Sequence, residues 1–240
     1  VATAALRPMR LADALFSQGF GTRRECAGLI GAGYVAVGGQ TCDDPAQPVE
    51  TTALVLTVRG EAWPFHASAL IMMHKPAGHE CSQKPRHHPS VYSLLPAPLR
   101  RRNVQAVGRL DEDTTGLLLL TDDGTLIHRL TSPKHHVPKV YEVGCTQPVE
   151  PAMIEQLLHG VQLHDEPLPV RAAACEATGS HTLRLTLTEG KYHQVKRMVA
   201  AAGNHVQALH RSAFGALALP ADLRPGQWRW LSGPAVLYAA

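Results

Sequence analysis

Three short segments of this 240-residue chain combine polar chemistry with the apolar runs needed to hold it in place. In the first, Gly108-Arg109-Leu110-Asp111-Glu112-Asp113-Thr114-Thr115-Gly116 sets three carboxylates in a glycine-bracketed loop directly before Leu117-Leu118-Leu119-Leu120. A carboxylate held ionised at the edge of a dry core can attack an electrophilic carbon or stabilise a cationic one. The same pattern suits a surface loop with capping aspartates, and on these residues alone both readings stand. Asp122-Asp123-Gly124 reads as a turn. In the second segment, Thr131 to Val143, the cations Lys134 and Lys139 and the pair His135-His136 precede a strand that carries Tyr141. In the third, Glu189-Gly190-Lys191-Tyr192-His193-Gln194-Val195-Lys196-Arg197-Met198, a strand ends in glycine and turns into a helix. Lys196 and Arg197 then lie in its first or second turn, where the helix dipole disfavours cations. An anionic partner is expected there, either a phosphate or a carboxylate.

The elements that must position these segments form two parts. From Met9 to Arg59, Leu11, Ala14, Leu15 and Gln18 have helical spacing. Thr22 and Glu25 form a capping box for a second helix, Arg23 to Ile30, which Gly31 and Gly33 stop. Short strands follow at Val35–Val37 and Leu54–Val58, with a turn at Gly38-Gly39. The expected division is a small domain over 1–60, a linker over 61–68 and a second domain over 69–240. In the second domain, strands are expected at 69–73, 117–121, 140–144, 170–175, 181–187 and 206–210. Helices are expected at 126–130, 151–158 and 194–202. Thr182 to Leu187 alternates with period two, the mark of a sheet covered on one face. Because strands and helices do not alternate regularly, the fold class is α+β, built on a mostly antiparallel sheet with flanking helices.

Bulk properties narrow the function classes. The chain is 45% hydrophobic and 18% charged, ordinary values for a globular protein. No run of eighteen apolar residues suggests a membrane span. Val1–Ala5, leading into Arg7 and Arg10, lacks the charged start and long apolar core of a signal peptide. Five cysteines without a C-x-x-C pair suit reduced thiols and a cytoplasmic location. The net charge of +3 is mild, but seven of the eight charged residues between Ala67 and Leu110 are basic. They include Lys75 and Arg109, and such a face suits a polyanion. His87-His88 and His135-His136 lack the partners of a metal site. No dinucleotide, P-loop or G-x-S-x-G signature is present. No cofactor and no metal are expected, and a monomer is expected because no dimer-forming helix is evident.

Taken together, G-R-L-D-E-D-T-T-G-L-L-L-L-T-D-D-G, T-S-P-K-H-H-V-P-K-V-Y-E-V and E-G-K-Y-H-Q-V-K-R-M-V-A-A-A-G-N-H-V-Q-A-L-H-R resemble the pseudouridine synthases of the small-subunit rRNA class. The resemblance runs from Ile71 to Trp230. In the first part, T-R-R-E-C-A-G-L-I-G-A-G-Y-V-A-V-G-G-Q resembles an S-four RNA-binding domain. The resemblance implies a cofactor-free isomerase that converts a uridine of 16S rRNA to pseudouridine, acting on an assembling small-subunit particle. A 23S rRNA synthase of the same superfamily and a non-catalytic assembly factor are the alternatives. It further implies Asp111 as the catalytic carboxylate, Lys196 as its ion-pair partner with Arg197 as the alternative, and Tyr141 stacked on the base. Arg109 is expected at the space vacated by the flipped nucleotide or on its phosphate. Substrate contacts are also expected from Lys75, Lys134, Lys139, Lys191, Gln194, Arg23 and Arg24.

Overall fold

The computed structural model describes residues 8–238; Val1–Ala5 and Arg7, read above against a signal peptide, lie outside them. The chain divides into two compact units, residues 1–69 with 95–104, and residues 70–94 with 105–240.

In the first unit, Met9–Arg10 (β1) leads into helix α1, Leu11–Ser17, which buries Leu11, Ala14 and Leu15 at the expected helical spacing. Helix α2, Arg23–Gly31, opens with the expected capping box: Thr22 Oγ1 accepts from the Glu25 N–H, and Glu25 Oε2 accepts from the Thr22 N–H. Strands β2 (Val35–Val37) and β3 (Gln40–Cys42) form a hairpin over Gly38 and Gly39, both in the left-handed region that glycine tolerates. Pro48–Val49 (β4) pairs with β1. Val55–Val58 (β5) and Glu61–Pro64 (β6) complete a sheet of order β3-β2-β5-β6.

Two features here differ from the sequence reading. Half of the expected linker 61–68 is strand β6, because Trp63 pairs opposite Leu56 and meets Phe20 edge-on at 5.2 Å, so it is drawn onto the core. The unit also reclaims residues 95–104, which carry helix α3, Ala97–Arg101. Arg102 holds this excursion, donating to Gln18 Oε1 at 2.8 Å and to the His66 carbonyl at 2.9 Å. Part of the basic run 100–102 is therefore spent on folding.

The second unit is a mixed, mostly antiparallel sheet, which makes the fold α+β as expected. Its strands are Leu70–Lys75 (β7), Gln105–Ala106 (β8), Thr115–Thr121 (β9), Lys139–Cys145 (β10), Ala174–Gly179 (β11), Thr182–Leu187 (β12), Val206–Phe214 (β13), Leu217–Ala218 (β14) and Trp228–Trp230 (β15). The order is β11-β12-β10-β13-β9-β7-β15, with β14 on β13 and β8 on β9; only the β13–β9 pair is parallel. Helices α4 (Gly124–Thr131), α5 (Pro151–His159) and α6 (Gln194–Ala201) flank the sheet. Leu117 to Leu120 are wholly buried on both faces of β9, which explains an unbroken leucine run in a central strand.

The strand expected at 170–175 forms instead at 174–179, where it can pair along β12; Val170 makes only an isolated bridge to Val161. Asp123, read as part of a turn, caps α4 by accepting from the Thr125 and Leu126 N–H groups.

Where β9 begins, Gly116 has φ +109° and lies against the backbone of Arg211 on β13. A Cβ built on Gly116 runs into the Arg211 carbonyl. We expect Gly116→Ala to cost on the order of 2 kcal/mol, from strain and clash together. Thermal unfolding should show a melting temperature lowered by at least about 4 °C. An unchanged melting temperature would refute the close-approach argument.

Candidate active site

The loop between β8 and β9 carries Asp111, and its shape is set from below. Lys75, at the end of β7, is completely buried. Its ammonium donates to the carbonyls of Pro76 (3.0 Å), Glu112 (3.1 Å) and Thr114 (2.7 Å). The Gly78 N–H donates to the same Glu112 carbonyl, and the Thr114 N–H closes a turn onto the Asp111 carbonyl. Burial lowers the Lys75 pKa, and the neighbouring Glu112, Asp113 and Asp111 partly oppose that shift. Lys75 therefore cannot bind substrate as expected; it is the tie that fixes the loop.

Helix α6 closes on this loop from the other side. Lys196 Nζ lies 3.1 Å from Asp111 Oδ2 and 2.7 Å from Asp113 Oδ1. Burial depresses the Lys196 pKa, but its bonds to Asp113 and Asp111 outweigh this and raise it above the ordinary lysine value. Asp113 is pushed up by burial and pulled further down by Lys196, so its carboxyl sits below the usual range. The anion expected beside the first turn of α6 is thus a carboxylate pair. Arg197, the alternative partner, instead pairs with Asp165 and donates to the Tyr192 carbonyl, and it lies outside the pocket lining.

His193, immediately before α6, holds φ +45°, in the left-handed region that few non-glycine residues occupy, histidine more readily than most. That turn brings its Nε2 within 3.3 Å of Asp111 Oδ1 and stacks its ring on the exposed Tyr192 at 3.8 Å.

These elements enclose a pocket of about 360 Å³, within the range of small-molecule sites. Asp111, Lys196 and His193 stand on one side, and Tyr141, Lys139 and Arg211 come from the sheet. Lys139 and Tyr141 share a face of β10 because side chains alternate along a strand. Arg109, exposed, and Lys191 also line the pocket. Lys191 is paired with Glu166 at 2.7 Å, which raises its pKa. Gln194 lines the pocket but is buried, and its amide shapes the loop: Oε1 accepts from the Lys191 N–H and Nε2 donates to Glu189.

Of the remaining expected contacts, Lys134 is exposed on a single turn outside the pocket lining. Arg23 and Arg24 belong to the first unit, where Arg23 lies 3.6 Å from Asp13 and over the Phe16 ring. The sequence reading missed His193, Asp113 and Arg211 as site residues. Two signals for Arg211 were available: it ends the third family-like segment, and it is an arginine inside the otherwise half-apolar strand β13. Nothing local marked the backbone turn at His193. Among the described residues, no three His, Cys, Asp or Glu side chains converge as a metal site would require. No helix among them is long and apolar enough to cross a membrane.

Substituting Lys75 by methionine fills similar space but strands the Pro76 and Thr114 carbonyls and leaves the Glu112 carbonyl only its Gly78 N–H. We expect a loss of about 3 kcal/mol and faster hydrogen exchange across residues 108–114. Unaltered protection of that loop would rule out the tie.

Residues 69–201 match the family model for RNA pseudouridylate synthases, and residues 9–55 match that of the S4 domain. Ribosomal small subunit pseudouridine synthase A of Escherichia coli (strain K12) is 47% identical over 167 residues, 70% of this chain and 72% of that protein. The protein of the same name from Salmonella typhimurium (strain LT2) is 40% identical over 225 residues, 93% of this chain and 96% of that one. A crystal structure of a pseudouridylate synthase superposes with a TM-score of 0.66 at 35% identity, covering 93% of this chain and 96% of the other. With its S4 domain at the N-terminus, this chain belongs to the RNA pseudouridylate synthase family and is an RNA-modifying isomerase.

Proposed function

We propose that the protein converts one uridine of 16S rRNA to pseudouridine in the pocket around Asp111, acting as a cytoplasmic monomer on an assembling small subunit. The observation that carries this reading is the pairing of Asp111 with Lys196 at the rim of a pocket that also presents Tyr141. The names of the two relatives support the choice of the small subunit.

Isomerisation exchanges nothing with a cofactor. The bond between ribose C1′ and uracil N1 breaks, the base turns, and its C5 bonds to C1′; the proton leaves C5 and N1 regains one. Asp111 is placed to attack C1′ or to stabilise a cationic sugar, with the Lys196 ammonium 3.1 Å from its Oδ2. Tyr141 supplies an aromatic face for the base. The nucleotide must leave its stack to arrive, at a cost of roughly a few kcal/mol. Arg109, exposed beside the pocket, is positioned for its phosphate or for the gap it leaves. Lys134, on its exposed turn, and Arg23 and Arg24 of the S4 domain are assigned to the RNA backbone.

The site is tested with Asp111→Asn and Lys196→Met on a small-subunit transcript or particle. Asp111→Asn keeps the side chain's shape and should lower the single-turnover rate by about three orders of magnitude or more. Lys196→Met, leaving two carboxylates without their shared cation, should lower it about a hundredfold with smaller loss of RNA binding. Full activity of Asp111→Asn would overturn the assignment. The substrate is tested by mapping pseudouridines in both large rRNAs of cells lacking the protein. One 16S site should revert to uridine; loss of a 23S site instead would select the other class of target.

A further inference from the structure

The pocket is also lined by two buried cations that the ion pair at Asp111 does not use. Lys139 and Arg211 are 8% and 3% exposed. They come from neighbouring strands: Lys139 pairs opposite Phe214, and Tyr141 opposite Arg211. Both charges approach the same ring, the Lys139 ammonium at 5.5 Å and the Arg211 guanidinium at 5.3 Å from the Phe214 centroid. Arg211 Nε donates to the Leu117 carbonyl, which aims the guanidinium, while its Nη2 is buried without a partner. The Lys139 ammonium, which lines the pocket and approaches the Phe214 ring, forms no hydrogen bond or ion pair with the described residues. Burial and the adjacent Arg211 lower its pKa, with Glu189 opposing.

Two neighbouring cations, nearly dry and short of partners, destabilise a fold; apolar side chains of the same size would serve packing better. Their placement is explained by an anion that visits the pocket. The ground-state uracil is neutral, but when the C1′–N1 bond breaks its electron pair leaves with the base. That holds whether Asp111 attacks C1′ or faces a cationic sugar. The negative charge then spreads from N1 onto the O2 and O4 carbonyl oxygens.

We propose that Lys139 and Arg211 form a cationic floor that receives this charge and so stabilises the detached uracil until its C5 rebonds to C1′. The proposal rests on the reading of this pocket as the isomerisation site. Fixed donors aimed at developing charge in a water-poor site act with little reorganisation. When C5 attacks, the electron pair returns to the new carbon–carbon bond and the floor is left as it began.

The test compares single-turnover cleavage of the C1′–N1 bond in RNA carrying either uridine or 5-fluorouridine at the target position. Fluorine makes the departing ring anion intrinsically more stable and less dependent on the floor. Lys139→Met and Arg211→Gln should slow the uridine substrate by about a hundredfold or more. On 5-fluorouridine their deficit should shrink at least tenfold, and Lys139→Arg should recover at least tenfold over Lys139→Met. Equal deficits on the two substrates, or none, would overturn the proposal. Melting curves identify a variant that fails to fold; if Arg211→Gln does so, Lys139→Met decides. Asp111→Asn separates the two levels: activity in that variant refutes the pocket itself, whereas its inactivity beside equal deficits refutes only the floor.

Discussion

Lys75 donates from one buried ammonium to three carbonyls at and around the loop that carries Asp111, and the rest of the site is arranged on that tie. A lysine without solvent is tolerable only when its donors are satisfied. Here satisfaction requires the chain to return over the end of β7 with the Glu112 and Thr114 carbonyls pointing inward. That return places the Asp111 side chain, only partly exposed, in the lining of the pocket. Gly116 makes the same geometry possible from the other end, because only a residue without Cβ lets β9 start so close to β13.

Charge then organises what the backbone has placed. Asp111 and Asp113 share Lys196, which sits in the first turn of α6 where the helix dipole alone would disfavour it. The two carboxylates offset that cost, and the raised pKa of Lys196 with the lowered pKa of Asp113 gives the sign. Lys196 contributes stability below its unfolded value, near 10.5, that is lost as pH rises through its higher folded pKa. Asp113 contributes stability above about 3.8 that is lost as pH falls through its lower folded pKa. The ion cluster therefore persists across the neutral range. Lys139 and Arg211 are arranged oppositely, kept short of partners by the strands that carry them. Paired and unpaired cations thus occupy one pocket, and the difference follows from which backbone element bears each.

Much of this was legible without coordinates, and the reasons are local. The capping box at Thr22 and Glu25, the helical spacing of Leu11, Ala14 and Leu15, and the leucine run of β9 express interactions within a few residues of one another. The segment around Asp111 stood out because glycine, carboxylate and leucine follow each other there. Other features were not legible. The linker reading failed at Glu61–Pro64 because Trp63 is held by Phe20, more than forty residues earlier, and residues 95–104 rejoin the first unit through Arg102 and Gln18. Lys75 looked like any cation in a basic stretch.

The sequence by itself determined which residues are available, the α+β class, and the segments that must meet, since periodicity, caps and turn residues act over one or two turns of chain. Tertiary structure decided which cation does what. Lys75, Lys139, Lys196, Arg197 and Arg211 carry the same charge in one dimension. Folding makes the first a buried tie, the third the partner of Asp111, the fourth a partner of Asp165, and leaves the second and fifth facing the pocket. Those assignments depend on register, burial and distance to carboxylates far along the chain, and these exist only once the strands have paired.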